Sequence, residues 1–572
     1  MSFQKYIFCG IFAVTITTGC EKTPNKTDTS NNFARAWCVS GGPIYTAKDD
    51  TPKIEAVAIR QGIITYAGID AGNWCKDFAG GNSKIIDLNG AAAYPGFTDA
   101  HGHLLGIGLR EMTLNLEGTK SIEDLKSKLA KVVTITPEGE PIYGRGWIET
   151  HWPEERFPTR ADLDAVTTSH PVILERADGH ASVVNSLALE RSNITTETEN
   201  PFGGAINRDA SGEATGMLID NAAGLVQHLM PELTEDRKRE AYIRGADLYA
   251  ARGWTNIHSM SVDPNDVSML NNLARNKKIK IRVYNSLDLL PSRNKPLSNL
   301  DTMKNVQNSL VTTRAIKLYA DGALGSRGAA LLAPYSDDEK NSGLMLLKED
   351  AAKAIFDAAL RNGTQVNTHA IGDRANRMVL DWYEEAFQRV PPAQRAEIDP
   401  RWRIEHSQII EPNDIDRFVE LGVIPSMQPS HAIGDLHFAP ARLGSNRLEG
   451  AYAWRALIDS GSIIAGGSDA PVEVGDPRIE FYAATERKDL KGYSNKDWRP
   501  AQKVTAQEAL KMFTIWPAYA AFQEEETGSI EVGKKADITV FETDIMTANG
   551  PDILTAEPIL TMVGGRLAFD GR

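Results

Sequence analysis

A chain of 572 residues is too long for one simple hydrophobic core and suits a large barrel with an accessory domain. Its 42% hydrophobic and 24% charged residues are the ordinary balance of a soluble globular protein. The net charge of −14, without any block of basic residues, excludes a general nucleic-acid binder, because neutralising phosphates needs clustered Lys and Arg. In chain order, the first twenty residues stand apart from any fold. Lys5 gives a short positive start and Tyr6 to Thr18 is an apolar run. The run is too short for a membrane span and fits a secretory signal over residues 1–19.

The run ends in Thr17-Thr18-Gly19-Cys20, which resembles a bacterial lipoprotein signal, where the Cys after a small residue becomes lipidated and N-terminal. Thr17 departs from that pattern, which usually carries Leu or a similar aliphatic residue, and plain signal cleavage near the same place is the alternative. The resemblance implies an exported, periplasmic chain whose contact with the membrane is a lipid anchor at Cys20. Residues 20–33, with the polar, turn-rich EKTPNKTDTSNN, then read as a tether. Of the four Cys, Cys9 leaves with the signal and Cys20 carries the lipid. Cys38 and Cys75 remain as one pair in an oxidising compartment, compatible with a disulfide or with two separate buried thiols.

Residues 34–97 alternate short apolar runs with turns, AVAIRQGIITYAG and then KIIDLNGAAAYPG, with Gln61-Gly62 and Asn89-Gly90 where hairpin turns belong. The C-terminus mirrors this with DITVFE at 537–542 and ILTMVGGRLAFDG at 559–571. The two ends, 34–97 and 525–572, are therefore expected to build one β-sandwich domain. Between them, over 98–524, short β-branched strands alternate with helical stretches. Strands are expected near Tyr94–His103, Trp254–Met260, Lys278–Asn285, Ala315–Asp321, Thr364–Ala370, Trp402–Gln408, Val423–Gln428 and Ser462–Asp469. The segment EDAAKAIFDAALRNG at 349–363 has helical spacing and a terminal Gly. Eight parallel strands joined by helices predict an α/β fold, a (β/α)8 TIM barrel. The interval of about 110–250 is too long for a structureless loop, so it must hold a large insertion after the first barrel strand.

The polar residues that carry chemistry fall at the ends of these strands, the face where barrel enzymes place their catalytic groups. His101 and His103 close the first strand in PGFTDAHGHL, and alternation puts residues i and i+2 on one face, so both imidazoles can point at one metal. With 11 His in the chain, about 0.2 such pairs arise by chance, so the pair alone is a weak signal. Lys317 in AIKLYADG, His369 in VNTHAIGD, His406 in RIEHSQ and Asp469 in AGGSDAP each end or nearly end a predicted strand. Singly, the histidines read as hydrogen-bonded residues and the Asp as a turn former, while a buried Lys is rarely enclosed without a partner. The joint arrangement points to a metal site.

Several segments in order, PGFTDAHGH, IKLYADGALGSRGAAL, THAIGDRAN, RIEHSQ, MQPSH, GSDAPV and TGSIEVGKKADITVF, resemble the amidohydrolase superfamily, specifically its family-3 branch, which includes N-substituted formamide deformylases. The resemblance covers nearly everything after the signal. It implies that His101, His103 and Asp469 hold one metal, that His369 and His406 hold another, and that Lys317 bridges them as a carbamate. One ion in place of two is the variant reading. Zinc is the default for such N/O ligands, with manganese or iron as alternatives. A divalent metal lowers the pKa of bound water toward neutrality and polarises a carbonyl, while Asp469 takes the proton from the attacking water and returns it to the leaving nitrogen.

The expected function is hydrolysis of a non-peptide carbon–nitrogen bond, an amide, N-formyl or cyclic amide, in a small organic molecule. An esterase or lactonase of the same fold, or a binding lipoprotein without catalysis, are the competing readings. Trp147, Asp178 and His180 from the insertion, and Arg327 after the fourth strand, are candidates for the substrate pocket, although a buried Trp is more often core. His258 in TNIHSM and His431 in MQPSH sit at strand ends and are the alternative catalytic bases.

Overall fold

The computed structural model describes residues 36–70, 74–80, 83–149, 152–177, 179, 181–201, 204–230, 232–289, 310–494 and 498–572. The expected signal and tether, Cys20, Asp178 and His180 lie outside the described residues. Within them, all eight predicted barrel strands are present: β1 (Phe97–Gly102), β2 (Trp254–Val262), β3 (Arg282–Asp288), β4 (Val311–Tyr319), β5 (Gln365–Ala370), β6 (Arg403–His406), β7 (Ile424–Met427) and β8 (Ala465–Gly466). They form one sheet in sequence order, each strand parallel to the next. Parallel strands covered by helices are buried on both faces, and β1, β6 and β7 are buried at every position.

The seam between β8 and β1 is closed beside the strand ends rather than by a regular ladder. The Asp469 N–H donates to the His101 carbonyl at 2.6 Å. The buried Asp99 carboxylate accepts from the Ser468 N–H at 2.9 Å and hydroxyl at 2.6 Å, and from the Tyr249 hydroxyl at 2.9 Å. Gly467 is required there, because a Cβ would lie 2.4 Å from the His101 nitrogen. The closure thus brings His101 and Asp469 together at one end of the barrel.

The helix predicted at 349–363 spans Glu349–Asn362. Glu349 and Asp350 in its first turn and Arg361 in its last complement the helix dipole, and Gly363 at φ +68° stops it in the left-handed region. Its buried stripe of Ala352, Phe356, Ala359 and Leu360 packs toward the barrel, where Phe356 meets Tyr383 and Trp402 at ring distances of 5.0 and 5.4 Å. Truncating a buried Phe of this kind to Ala costs about 3–5 kcal/mol.

Both chain ends enter a single eight-stranded sheet. Strand Ala92–Pro95 lies between Trp37–Tyr45 on one side and Ile538–Phe541 on the other. The Trp37 indole donates to the Gly565 carbonyl at 2.9 Å. Arg282 of β3 reaches out of the barrel to Asp537 through two buried hydrogen bonds of 2.6 and 2.9 Å. Gln61-Gly62 makes the expected hairpin turn, with φ of +53° and +78°. Asn89-Gly90 does not reverse the chain: the strands on either side of it, Lys84–Asp87 and Ala92–Pro95, both run parallel to Trp37–Tyr45 and pair with successive parts of it. Cys38 and Cys75 form a disulfide.

Between β1 and β2 stands the insertion, a six-stranded sheet drawn from residues 114–220. Alternation along Val172–Arg176 sends Val172 and Leu174 into one core with Leu125 and Trp147, and Ile173 into another with Leu189 and Leu218. No helix among the described residues is long and apolar enough to cross a membrane.

Candidate metal centre

His101 and His103 converge as alternation predicts. Their Nε2 atoms lie 3.5 and 3.0 Å from the same oxygen, Asp469 Oδ1. His101, His103 and Asp469 offer ligand atoms all within 4.8 Å of one another. Lys317, on β4, places its Nζ 3.4 Å from His101 Nε2. His406 at the end of β6 stands between the others, with its ring 4.6 Å from that of His101 and 4.5 Å from that of His369. The six predicted ligands therefore share one end of the barrel.

His406 reaches this position because its backbone leaves the strand. Alternation alone would turn it away from the face that Arg403 and Glu405 occupy. His406 has φ +74°, Ser407 +44° and Asp469 +62°, values that non-Gly residues adopt at an energetic cost and that cluster at functional sites.

Burial sets the charges. It pushes the His101 and His406 pKa values well below the ordinary imidazole range, aided by Lys317 at His101 and by the neighbouring imidazoles at His406. Burial and Lys317 bring His369 down to about 3. These histidines are neutral near pH 7, the form in which imidazole ligates a metal. Burial also lowers Lys317 to about 8. For Asp469, burial acts upward, but the adjacent His101 imidazole and the hydrogen bond with His103 outweigh it and hold the carboxyl well below its usual range. Three neutral imidazoles, an ionised carboxylate and a buried lysine form a donor set that fits a divalent cation.

His431 belongs to the same cluster. Its Nε2 lies 3.5 Å from Asp469 Oδ2 and is buried without a hydrogen bond, while Gln408 holds its Nδ1 at 2.9 Å. With His406 and Asp469 it forms a second set of ligand atoms within 4.8 Å. His258 is fully buried within β2; its Nδ1 meets the Arg403 guanidinium at 2.9 Å and its Nε2 is buried without a hydrogen bond.

One pocket expectation is corrected. Trp147 is fully buried in the insertion's own core, with its indole N–H on the Leu174 carbonyl at 2.9 Å, so it lines no pocket. Arg327 pairs its guanidinium with Asp337 through two hydrogen bonds of 3.0 Å.

Sequence reasoning missed the residues that orient the ligands. Glu405 Oε2 meets His101 Nδ1 at 2.5 Å, and Gln428 Oε1 meets His406 Nδ1 at 2.8 Å. Arg403 binds Glu405, Ser426 and the Ala100 carbonyl. A signal existed for the first pair: Arg403 and Glu405 are two charged residues at i and i+2 in a strand otherwise meant for burial, and buried charges come in pairs.

Comparison with known proteins agrees with this geometry. The amidohydrolase family profile matches residues 84–569. Protein LONG AFTER FAR-RED 3 of Arabidopsis thaliana is 32% identical over 545 residues, covering 93% of this chain and 91% of that protein. N-substituted formamide deformylase of Arthrobacter pascens is 26% identical over 528 residues, covering 90% and 95%. The crystal structure of an uncharacterized metal-dependent hydrolase from Pyrococcus horikoshii superimposes with a TM-score of 0.72 at 27% identity, over 90% of this chain and 99% of that one.

Proposed function

The chain belongs to the amidohydrolase family and is a metal-dependent hydrolase, and from that premise we propose that it cleaves a non-peptide carbon–nitrogen bond in a small organic molecule. An amide, an N-formyl group or a cyclic amide is the bond in view. His101, His103 and Asp469 would hold one divalent ion, His369 and His406 a second, and Lys317 would stand between them as a carbamate. Zinc is the metal this mixture of nitrogen and oxygen donors favours. When bound, a divalent metal supplies Lewis acidity toward a carbonyl and makes a water more acidic.

The observation that carries this reading is the convergence on Asp469, whose Oδ1 faces His101 and His103 while its Oδ2 faces His431. An ionised carboxylate there accepts the proton of an attacking water and delivers it to the leaving nitrogen. His431, with its free Nε2 beside that carboxylate, is placed to donate to a substrate oxygen or to steady Asp469. Elemental analysis of purified chain, followed by paired amide and ester substrates with identical acyl groups, tests the proposal. Metal-free chain with full activity would defeat it, and turnover confined to esters or lactones would establish the competing activity.

Two further readings rest on sequence patterns. The Gly19-Cys20 junction supports export and lipid attachment at Cys20, with the chain held to a bacterial membrane in the periplasm. Mass spectrometry of the mature N-terminus decides this. The shared core of both chain ends, with Trp37 and Ile44 packed beside Ile538 and Leu560, supports reading the composite sheet as the β-sandwich of the fold.

A further inference from the structure

The short helix Trp74–Ala79 has apolar side chains on both faces. Inward, Cys75 and Ala79 are buried against one cross-strand row, Tyr66–Ala58–Cys38–Ile85, whose members are successive partners in neighbouring strands. Outward, Trp74 and Phe78, one turn apart, are each 50% exposed, where a surface helix would normally be polar. Tyr66 joins them, with its ring 5.0 Å from Phe78 and 6.3 Å from Trp74. Ile85 at the end of the row is 50% exposed and Ile69 is 61% exposed. The three aromatic rings thus make one outward apolar surface, with the exposed Ile69 at the end of one flanking strand, Ile85 on another, and the exposed Asp77 and Lys84 near it. Contiguous exposed patches of this kind mark contact surfaces.

The chain enters the sheet close to this surface. The Ala36 carbonyl accepts from the Lys84 N–H at 2.8 Å, so the described chain begins beside Ile85. Sixteen residue steps separate Ala36 from Cys20. Their reach is at most about 55 Å fully extended, and about 20 Å root-mean-square for a coil. We propose that this aromatic surface rests on the phospholipid bilayer to which Cys20 is anchored, with Trp74 and Phe78 in the headgroup–acyl boundary. The proposal builds on the lipid-anchor reading. Trp and Phe beside polar groups are the composition that partitions to that boundary, and the nearby charges keep the contact shallow. A second contact held near the anchor adds to the overall attachment without a large interface.

The test uses the full chain in phosphatidylethanolamine–phosphatidylglycerol vesicles whose acyl chains are brominated and quench tryptophan at the interface. Wild-type emission should be quenched, and Trp74→Phe, which keeps the ring surface but removes that indole, should lose most of the quenching. Trp74→Ser/Phe78→Ser should stay with the vesicles through the anchor and lose the same quenching. Equal quenching in wild type and Trp74→Phe overturns the proposal. So does a double variant that abolishes a dimer in sedimentation velocity while its quenching is unchanged, because the surface would then join two copies of this chain. A Cys20→Ser chain separates the two readings. If it sediments with vesicles as wild type does, the anchor reading fails, while the wild-type against Trp74→Phe comparison still judges the surface.

Discussion

His101 and Glu405 are 304 residues apart in the chain, yet imidazole Nδ1 meets carboxylate Oε2 at 2.5 Å with both side chains wholly buried. The contact leaves Nε2 of His101 directed at Asp469 and Lys317. A carboxylate on the far nitrogen fixes the tautomer and raises the basicity of the near one. Arg403, 3.1 Å from the same oxygen, supplies the charge that makes an ionised Glu405 tolerable in the core.

Glu405→Gln should therefore weaken metal retention by about 10- to 100-fold, the usual effect of losing an orienting partner. Because Arg403 then loses its counter-charge, stability should fall as well, by up to about 3–5 kcal/mol. Chelator competition and thermal unfolding on the same preparation read both effects. Metal affinity equal to wild type would remove Glu405 from the orienting role.

Asp469→Asn keeps the size of the side chain but cannot carry a proton. Turnover should drop by about 10²- to 10⁴-fold, or roughly 3–5 kcal/mol of barrier. Metal content has to be measured alongside, since the carboxylate is also a candidate ligand. A metal-loaded, thermally stable variant working within a few-fold of wild type would transfer the proton shuttle to another group, and His431, 3.5 Å from Oδ2, is a candidate in reach.

Lys317 has its pKa brought down to about 8 by burial, which leaves about a tenth of it as free amine at pH 7. Free amine is the form that reacts with carbon dioxide. Metal reloading of chelator-stripped chain should thus reach higher occupancy with bicarbonate than in carbon dioxide-free buffer. Lys317→Arg, whose guanidinium stays charged, should abolish the difference. Occupancy independent of bicarbonate in the wild type would argue for a plain amine at this position.

Away from the site, Glu508 accepts from Arg455 at 2.8 Å through one oxygen and a second guanidinium nitrogen through the other, and completes a capping box with Thr505. The Arg455 hydrogen bonds hold its pKa down to about 2 against burial. A folded-state pKa below the unfolded value of about 4.3 contributes stability that is present above pH 4.3 and lost as pH falls toward 2. Discounted for its partial exposure, that contribution is about 1–2 kcal/mol. Denaturant melts should find Glu508→Gln less stable than wild type at pH 7 by this amount, with the gap closing near pH 2. A gap that is constant with pH would mean the loss is packing rather than charge.

Local sequence was enough for the parts of this protein that depend on short-range periodicity. Eight strands were legible because buried parallel strands leave short β-branched runs between amphipathic helices. The shared face of His101 and His103 was legible because side chains alternate along a strand. Tertiary structure alone decided the rest, because those outcomes depend on which distant segments meet. Closure of β8 onto β1 puts Asp469 against both histidines, and a left-handed residue at the end of β6 swings His406 out of the alternation that would have turned it away. His258 and His431 look alike in sequence, each at a strand end. Only the packing shows that one meets Arg403 inside the barrel and the other faces Asp469. Trp147 likewise reads as a pocket residue until the insertion's sheet folds over it, since an indole gains as much from a dry core as from a ligand. The disulfide was open for the same reason: pairing two thiols requires their segments to meet, and the helix Trp74–Ala79 packed on the strand of Cys38 brings Cys75 to it.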